Sequence, residues 1–197
     1  KLSNINLLGS YNKNSKNLFL KEANLTEENN KLHFSNLNLD LKNGIKITNI
    51  DKLELNYLND KKKLNNINLI KNNNNFKLTG KDYDGRSLIN NIIKGNKKNN
   101  FLKLFKNFNS EIILNLDQFY LGDESYLKQV VGNLVIKNNK FYSGIIDADL
   151  NSKNKFSYKL KTTTDNKRIT NLYIDEPEPF IKNYKFIKGF NKGRLEF

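Results

Sequence analysis

Apolar and polar residues alternate along most of the chain. Leu37, Leu39 and Leu41 are separated by polar residues, and Leu53 and Leu55 repeat the pattern. A period of two is typical of strands that have one apolar and one polar face. The same alternation predicts further strands near residues 5–11, 18–25, 31–34, 64–70, 76–79, 112–121, 131–137, 141–150, 156–164 and 169–174. The chain is therefore predicted to be mainly β.

Turn-forming residues separate many of these strands. Residues 28–30, 42–44, 71–75 and 137–139 are rich in Asn and contain a Gly at position 44. Short connections of this composition allow successive strands to pair as hairpins. The pattern therefore predicts a long antiparallel meander sheet.

Two stretches follow a helical period instead. Apolar residues at 88, 89, 92 and 93 follow Asp84, a suitable N-cap, and Gly95 follows them. Apolar residues at 180, 181, 184 and 187 follow Asp175 and Pro177 and are followed by Gly189. These start and stop signals predict short helices at about 85–94 and 177–188.

The order of these elements predicts two β-rich segments, each of which closes on a short helix. Residues 1–94 form the first segment, 95–109 a polar and basic linker, and 110–197 the second segment. Within the linker, residues 97–108 form an amphipathic basic stretch, in which lysines are interleaved with Phe101, Leu102, Leu104, Phe105 and Phe108. Because the chain contains no Met, Lys1 is not a translation start, and we expect the chain to be a fragment of a longer protein.

The composition disfavours most catalytic chemistry. The chain has no Cys and a single His, so it offers no thiol nucleophile and no zinc knuckle. His33 lies on the polar side of its strand and is expected to be exposed, and Asp147 and Asp149 are expected on a solvent face beside the apolar stripe. No catalytic residue, metal site or cofactor is predicted, and we expect the protein not to be an enzyme.

The positive charge has two interpretations. The formal net charge is +14, which is the electrostatic signature of nucleic-acid binding. Nearly all the cations are lysines, however, with arginine only at positions 86, 168 and 194, and Asn is very abundant. That bias is typical of an A+T-rich genome, and nucleic-acid grooves favour Arg for bidentate contacts. A basic nucleic-acid-binding domain is therefore retained only as a second alternative.

The apolar faces of the strands allow two architectures. If they line one side of a curved sheet, they form a groove that shelters hydrocarbon, at about 0.8 kcal/mol per buried methylene. If they meet a second sheet, the protein is a structural or interaction β-sandwich with a dry core. Alternation alone leaves both open.

The order of motifs in the last 120 residues or so resembles that of a known family. The segment 80–89, GKDYDGRSLI, has an aromatic-Asp-x-Arg entry to a Leu-rich helix, and it contains Asp84 and Arg86. The strand 130–136, VVGNLVI, has the order apolar, Gly, x, Leu. The chain closes on Asp175, a short helix, and Gly189 and Gly193 before Arg194-Leu195. This order resembles AsmA-like envelope proteins of the YhdP/TamB type, particularly the alphaproteobacterial ones.

The resemblance implies a fold, a location and a function. The implied fold is a long antiparallel sheet that forms a curved groove with two short capping helices. The implied location is the periplasm, with an anchor in the inner membrane outside this fragment. The implied function is lipid (phospholipid) transport or outer-membrane biogenesis. The partners would be lipid acyl chains and, through other parts of the chain, bacterial envelope membranes.

Alternation assigns the candidate groove residues in the second segment. Leu116 and Phe119 are three residues apart, which breaks the period of two. A bulge near Asp117 and Gln118 would place both side chains on the same face of the sheet. The predicted groove-lining residues are Ile112, Leu114, Leu116, Phe119, Leu121, Leu134, Ile136, Ala148, Leu150, Phe156, Tyr158 and Leu160.

Overall fold

The computed structural model describes residues 4–86, 101–151, 153–178, 181 and 195–196. In this part of the chain thirteen strands form one sheet. The strands are β1 (Asn4–Asn12), β2 (Asn17–Glu27), β3 (Asn30–Asp40), β4 (Lys46–Asn49), β5 (Lys52–Leu58), β6 (Leu64–Asn72), β7 (Asn75–Asp84), β8 (Ser110–Tyr120), β9 (Tyr126–Lys137), β10 (Lys140–Leu150), β11 (Asn154–Thr162), β12 (Arg168–Ile174) and β13 (Leu195–Glu196). The mainly β fold is confirmed.

Most of each predicted helix lies outside the described residues. Of the range 85–94 the structure describes only Gly85 and Arg86, and Gly189 and Gly193 are also outside. In the range 177–188, the backbone N–H of Ile181 donates to the carbonyl of Pro177, as in a first helical turn. Phe101–Leu104 in the basic stretch forms a short 3-10 helix.

The strands follow one another across the sheet in chain order. The exception is β4, which pairs with β3 beside β5. Several neighbours are joined by two-residue turns, as between Lys137 and Lys140, where Asn138 and Asn139 both have positive φ. Two left-handed residues match the twist of a β-hairpin, and Asn adopts that conformation more readily than most residues. The predicted meander is thus built largely from the predicted turns.

One neighbouring pair of strands is parallel. β8 runs parallel to β7, from Phe76 opposite Ile112 to Asp84 opposite Tyr120. Parallel neighbours need a long connection, which residues 85–109 supply. The segments 1–94 and 110–197 therefore share one sheet. The antiparallel prediction is wrong at this junction because the long connection returns the chain to the start of β7 before β8 begins.

No sandwich is present among the described strands. A sandwich needs two sheets packed face to face, whereas all thirteen strands belong to one sheet. The apolar side chains of this sheet are therefore not buried by a second sheet among the described strands.

An irregularity crosses three strands at the point where the period breaks. Lys81 is an extra residue of β7 relative to β6, and Asp117 has no partner in either neighbouring strand. In β9, Gln129 has a φ of 50°, and the register towards β10 shifts at this point. As a result Leu116 and Phe119 both pack in the same apolar cluster. The facing change expected near Asp117 and Gln118 is present, but it is shared by β7, β8 and β9.

Candidate functional site

An uninterrupted row of apolar side chains and one glycine crosses the sheet. Each member is the register partner of the next, from β1 to β12. The row is Leu7, Ala23, Phe34, Leu53, Leu69, Leu78, Leu114, Gly132, Ile146, Tyr158 and Leu172. Strands lie about 4.8 Å apart, so the row is roughly 50 Å long. We call the side of the sheet that carries it the apolar face.

The neighbouring row, on the opposite side, is mainly polar. It is Asn6, Asn24, His33, Glu54, Asn68, Thr79, Asn115, Val131, Asp147, Ser157 and Tyr173. We call this side the polar face. The register between strands places apolar residues next to apolar residues and polar next to polar. The alternation within each strand therefore produces two continuous surfaces of different chemistry.

The structure brings the predicted groove residues together on the apolar face. Ile112 is opposite Leu134, and Phe156 is opposite Ala148. Eight of the twelve are buried, namely Leu114, Leu116, Leu121, Ile136, Ala148, Leu150, Phe156 and Leu160. Ile112, Phe119, Leu134 and Tyr158 are half-buried. These residues thus form mainly a core within the chain rather than an open lining.

The most exposed part of the apolar face lies at β1, in the first segment, where no groove residue was predicted. Leu55 and Ile67 are half-buried. Phe34, Leu53 and Leu69 are also half-buried, and they pack against the buried cluster of Leu37, Ile50 and Phe76. In β1, Ile5, Leu7 and Tyr11 are each more than half exposed. The alternation in these strands signalled their facing, but alternation does not report which stretch of a face is covered.

The basic stretch covers part of the apolar face. Phe105 and Phe108 pack with Phe76, with ring centroids 4.5 Å apart for Phe105 and Phe108 and 5.5 Å apart for Phe76 and Phe108. Leu102 is fully buried. Leu102, Phe105 and Phe108 of the basic stretch are therefore core components.

Polar contacts attach residues 102–106 of the basic stretch, the covering segment, to two different parts of the sheet. Lys106 Nζ lies 2.8 Å from an Asp40 carboxylate oxygen, and its backbone N–H donates to the carbonyl of Ile47. The amide of Asn139 donates to the carbonyls of Leu102 and Phe105, at 2.8 and 2.6 Å. Lys106 thus fastens the segment to β3 and β4, and the β9–β10 turn fastens it to the second half of the sheet.

The Tyr83-Asp84-Gly85-Arg86 motif forms an ion-pair cluster at the end of β7. Arg86 donates to both carboxylate oxygens of Asp84, and its third contact is the Asp123 carboxylate. Asn59 also donates to Asp84, at 2.7 Å. Asp84 in turn accepts from the backbone N–H of Arg86 at 3.2 Å, as expected of an N-cap. The cluster joins the β5–β6 turn, β7 and the β8–β9 turn.

The environment of Asp84 favours its charged form. Burial alone would raise the pKa of Asp84, but the hydrogen bonds from Arg86 and Asn59 and the positive charge of Arg86 together hold it below its ordinary value. The hydrogen bonds to Asp84 and the negative charges of Asp84 and Asp123 in turn raise the pKa of Arg86. Both side chains are largely buried, at 9% and 13% exposed, so the pair is a structural ion pair.

Asp175 has a comparable structural role. It accepts from the backbone N–H of Lys155 at 2.8 Å and from the hydroxyl of Tyr173 at 2.5 Å. Its own backbone N–H donates to the carbonyl of Lys155. Asp175 therefore ties the end of β12 to the start of β11.

His33 is not the exposed residue that the sequence predicts. Its side chain is 16% exposed and contacts Asn24 Oδ1 at 2.7 Å, Ser35 Oγ at 3.0 Å and Glu22 at 3.1 Å. These partners come from β2 and β3, which place polar side chains side by side on the polar face. His33 is therefore part of a structural network.

The polar face also carries a shallow cavity of about 310 Å³. Lys31, Glu54, Asn56, Asn66 and Asn68 provide its polar lining. Two amide oxygens here, those of Asn56 and Asn68, are buried without a hydrogen-bond partner. No group of three His, Cys, Asp or Glu residues in the described part of the chain could hold a metal ion.

Comparison with known proteins adds no relative. No protein-family model matches the chain, and neither does any curated protein or solved structure. None of the helices among the described residues has the length and apolarity to cross a membrane. The case for a function consequently rests on the two faces of the sheet.

Proposed function

We propose that the protein is a non-enzymatic lipid-handling module that holds acyl chains against the apolar face of its sheet. The observation that carries this proposal is the continuous apolar row from Leu7 to Leu172, whose first-segment end is open. Transfer of hydrocarbon onto such a surface contributes about 0.8 kcal/mol for each methylene removed from water. This role agrees with the resemblance to AsmA-like envelope proteins.

In this proposal the lipid acyl chains bind to the apolar face of the first segment. Side chains of the second segment, such as Leu121 and Leu150, are already buried by the protein. Leu7, Phe34, Leu53 and Leu69 lie in one row and retain exposed surface. An acyl chain would lie along this part of the row. A location in the periplasm, with an anchor elsewhere in the parent chain, belongs to the same proposal.

The two sides of β1 provide a matched test. Leu7 is 57% exposed on the apolar face, and the next residue, Leu8, is 56% exposed on the polar face. A photo-crosslinking amino acid is placed at either position, and the protein is mixed with vesicles of phosphatidylethanolamine and phosphatidylglycerol. We expect crosslinks to phospholipid from position 7 and few from position 8.

Substitution to Asn tests the same surface by removing an apolar side chain while the probe stays at position 7. Phe34→Asn should reduce lipid capture by the position-7 probe severalfold, while Leu8→Asn should leave that capture unchanged. Equal crosslinking from both faces, or no lipid at either position, would reject the proposal. The denaturation midpoint of each variant shows whether a loss of capture comes from unfolding.

A further inference from the structure

The connections between strands lie at two ends of the sheet, and the two ends differ in charge. At one end, which we call the basic end, the described connections are residues 13–16, 41–45, 73–74, 101–109, 138–139 and 163–167. They carry six basic side chains and one acidic side chain. At the other end the described connections are residues 28–29, 59–63, 85–86, 121–125, 153 and 175–178. They carry five basic and seven acidic side chains.

Three segments at the basic end are held side by side. The backbone N–H of Leu41 donates to the carbonyl of Lys16 at 2.9 Å, which joins the β1–β2 turn to the β3–β4 loop. Lys46 Nζ donates to the carbonyl of Lys103 at 2.6 Å, which joins that loop to the covering segment. We call residues 13–16, 41–46 and 102–106 together the three-loop surface.

The three-loop surface is strongly basic. Its six charged side chains are Lys13, Lys16, Lys42, Lys46, Lys103 and Lys106. Five of these lysines are exposed, and Lys46 is half-buried. Asp40, which flanks the surface and pairs with Lys106, offsets one of the six charges. The surface is therefore suited to an anionic partner.

Large apolar side chains project among these lysines. Ile45 is 64% exposed, and no large apolar side chain in the described part of the chain is more exposed. Leu104, on the covering segment, is 51% exposed, and Tyr11, beside the β1–β2 turn, is 56% exposed. A basic surface with apolar side chains at its tips is typical of proteins that lie in the interface of an anionic bilayer.

Nucleic acid would fit the same charge but not the same surface. Contacts to phosphate and bases favour Arg, and all six cations here are lysines. Contacts to phosphate also give no role to the exposed Ile45 and Leu104. In a bilayer, by contrast, lysines lie at the headgroups and apolar side chains insert between them.

We propose that the three-loop surface docks on a bilayer that contains anionic phospholipid, with Ile45 and Leu104 inserted among the headgroups. The acidic residues at the other end of the sheet are repelled by the same bilayer, so the strands point away from the membrane. Tyr11 lies on the apolar face beside this contact, where an acyl chain that leaves the bilayer would meet the sheet. The choice of a bilayer as partner rests on the proposed lipid-handling function.

Charge reversal at the two ends of the sheet tests the orientation. Lys13→Glu with Lys42→Glu changes the three-loop surface, and Lys61→Glu with Lys62→Glu makes the same change in net charge at the other end; all four lysines are exposed. Binding is measured by flotation with vesicles of equal parts phosphatidylglycerol and phosphatidylethanolamine. Each lysine near an anionic bilayer strengthens binding by about fivefold. We expect binding at least tenfold weaker for the first pair and nearly unchanged binding for the second.

Insertion of Ile45 is tested by fluorescence, because the chain contains no Trp. Ile45→Trp should shift its emission to shorter wavelength when these vesicles are added, and vesicles of phosphatidylcholine alone should cause no shift. Leu58→Trp is the control, since Leu58 is 51% exposed next to the β5–β6 turn at the other end. Its emission should stay unchanged with both kinds of vesicle.

Three results would overturn the docking proposal. They are equal loss of vesicle binding for the two pairs of charge reversals, no emission shift for Ile45→Trp, and a preference for a DNA duplex over anionic vesicles. The photo-crosslinker at position 7 reports lipid capture separately. Capture without docking through the three-loop surface rejects this inference alone, whereas docking without capture rejects the proposed lipid-handling function.

Discussion

At the residue scale, the abundance of Asn is useful to the fold. Eleven described residues other than Gly have positive φ, and seven of them are Asn. Asn tolerates the left-handed region better than most residues because its short side chain can hydrogen-bond locally. Thus a composition typical of A+T-rich codons also supplies the tight turns that a thirteen-stranded meander needs.

The Asp84–Arg86 pair supports a prediction at the same scale. Asp84→Asn removes the charge but keeps most of the shape, so Arg86 retains only Asp123 as a carboxylate partner. We expect the free energy of unfolding at neutral pH to fall by roughly 2 kcal/mol. Asp165→Asn is the control, because Asp165 and Lys167 are both exposed and their pair should contribute no measurable stability. Urea denaturation measures both.

The pH dependence of stability follows from the lowered pKa of Asp84. Its stabilising effect is fully present above the unfolded-chain value of about 3.9 and is lost as pH falls through the lower folded-state pKa. Wild type should therefore lose stability in that acidic window, and Asp84→Asn should lose less over the same range. Parallel pH profiles for the two proteins would contradict this explanation.

At the scale of elements, Gly132 determines how closely β9 and β10 approach. A Cβ at this position would overlap the carbonyl oxygen of Ile145 and lie 2.9 Å from the Cα of Ile146, both backbone atoms of β10. Backbone atoms in the middle of a sheet cannot move aside as a side chain can. This is the physical reason for glycine in the apolar-Gly-x-Leu strand of residues 130–134.

Gly132→Ala should accordingly be destabilising. We expect a decrease of about 1–3 kcal/mol in the free energy of unfolding, the usual cost of overpacking. Asn133→Ala, one residue further along the same strand and on the polar face, is the matched control and should change stability by less than about 1 kcal/mol. A Gly132→Ala protein as stable as wild type would show that the two strands can separate without cost.

At the scale of the whole molecule, the two segments differ in how far the apolar face is closed. Leu116, in the second segment, is 5% exposed, whereas Leu7 is open. Leu116→Asn should reduce the free energy of unfolding by about 2–5 kcal/mol, through lost packing and an unsatisfied amide. Leu7→Asn should leave stability nearly unchanged, and thermal or urea unfolding compares the two. Similar losses for both would mean that the face is closed throughout.

Several features of the molecule could be predicted from the sequence alone. The alternation of apolar and polar residues located nearly all of the strands, because side chains on a strand point to opposite faces whatever lies next to it. Turn chemistry predicted hairpins such as the one at Asn138 and Asn139, because φ preference is a property of the residue itself. The facing of Leu116 and Phe119 followed from the same period and its interruption.

Other features were decided only by the tertiary structure, because they depend on residues far apart in the chain. The parallel pairing of β7 and β8 joins residues that a long connection separates, and no local pattern encodes it. The burial of the predicted groove residues depends on what packs over them, which alternation does not contain. His33 shows the same limit: its strand placed it on the polar face, but its partial burial came from Asn24, Glu22 and Ser35, which only the register of β2 and β3 brings together.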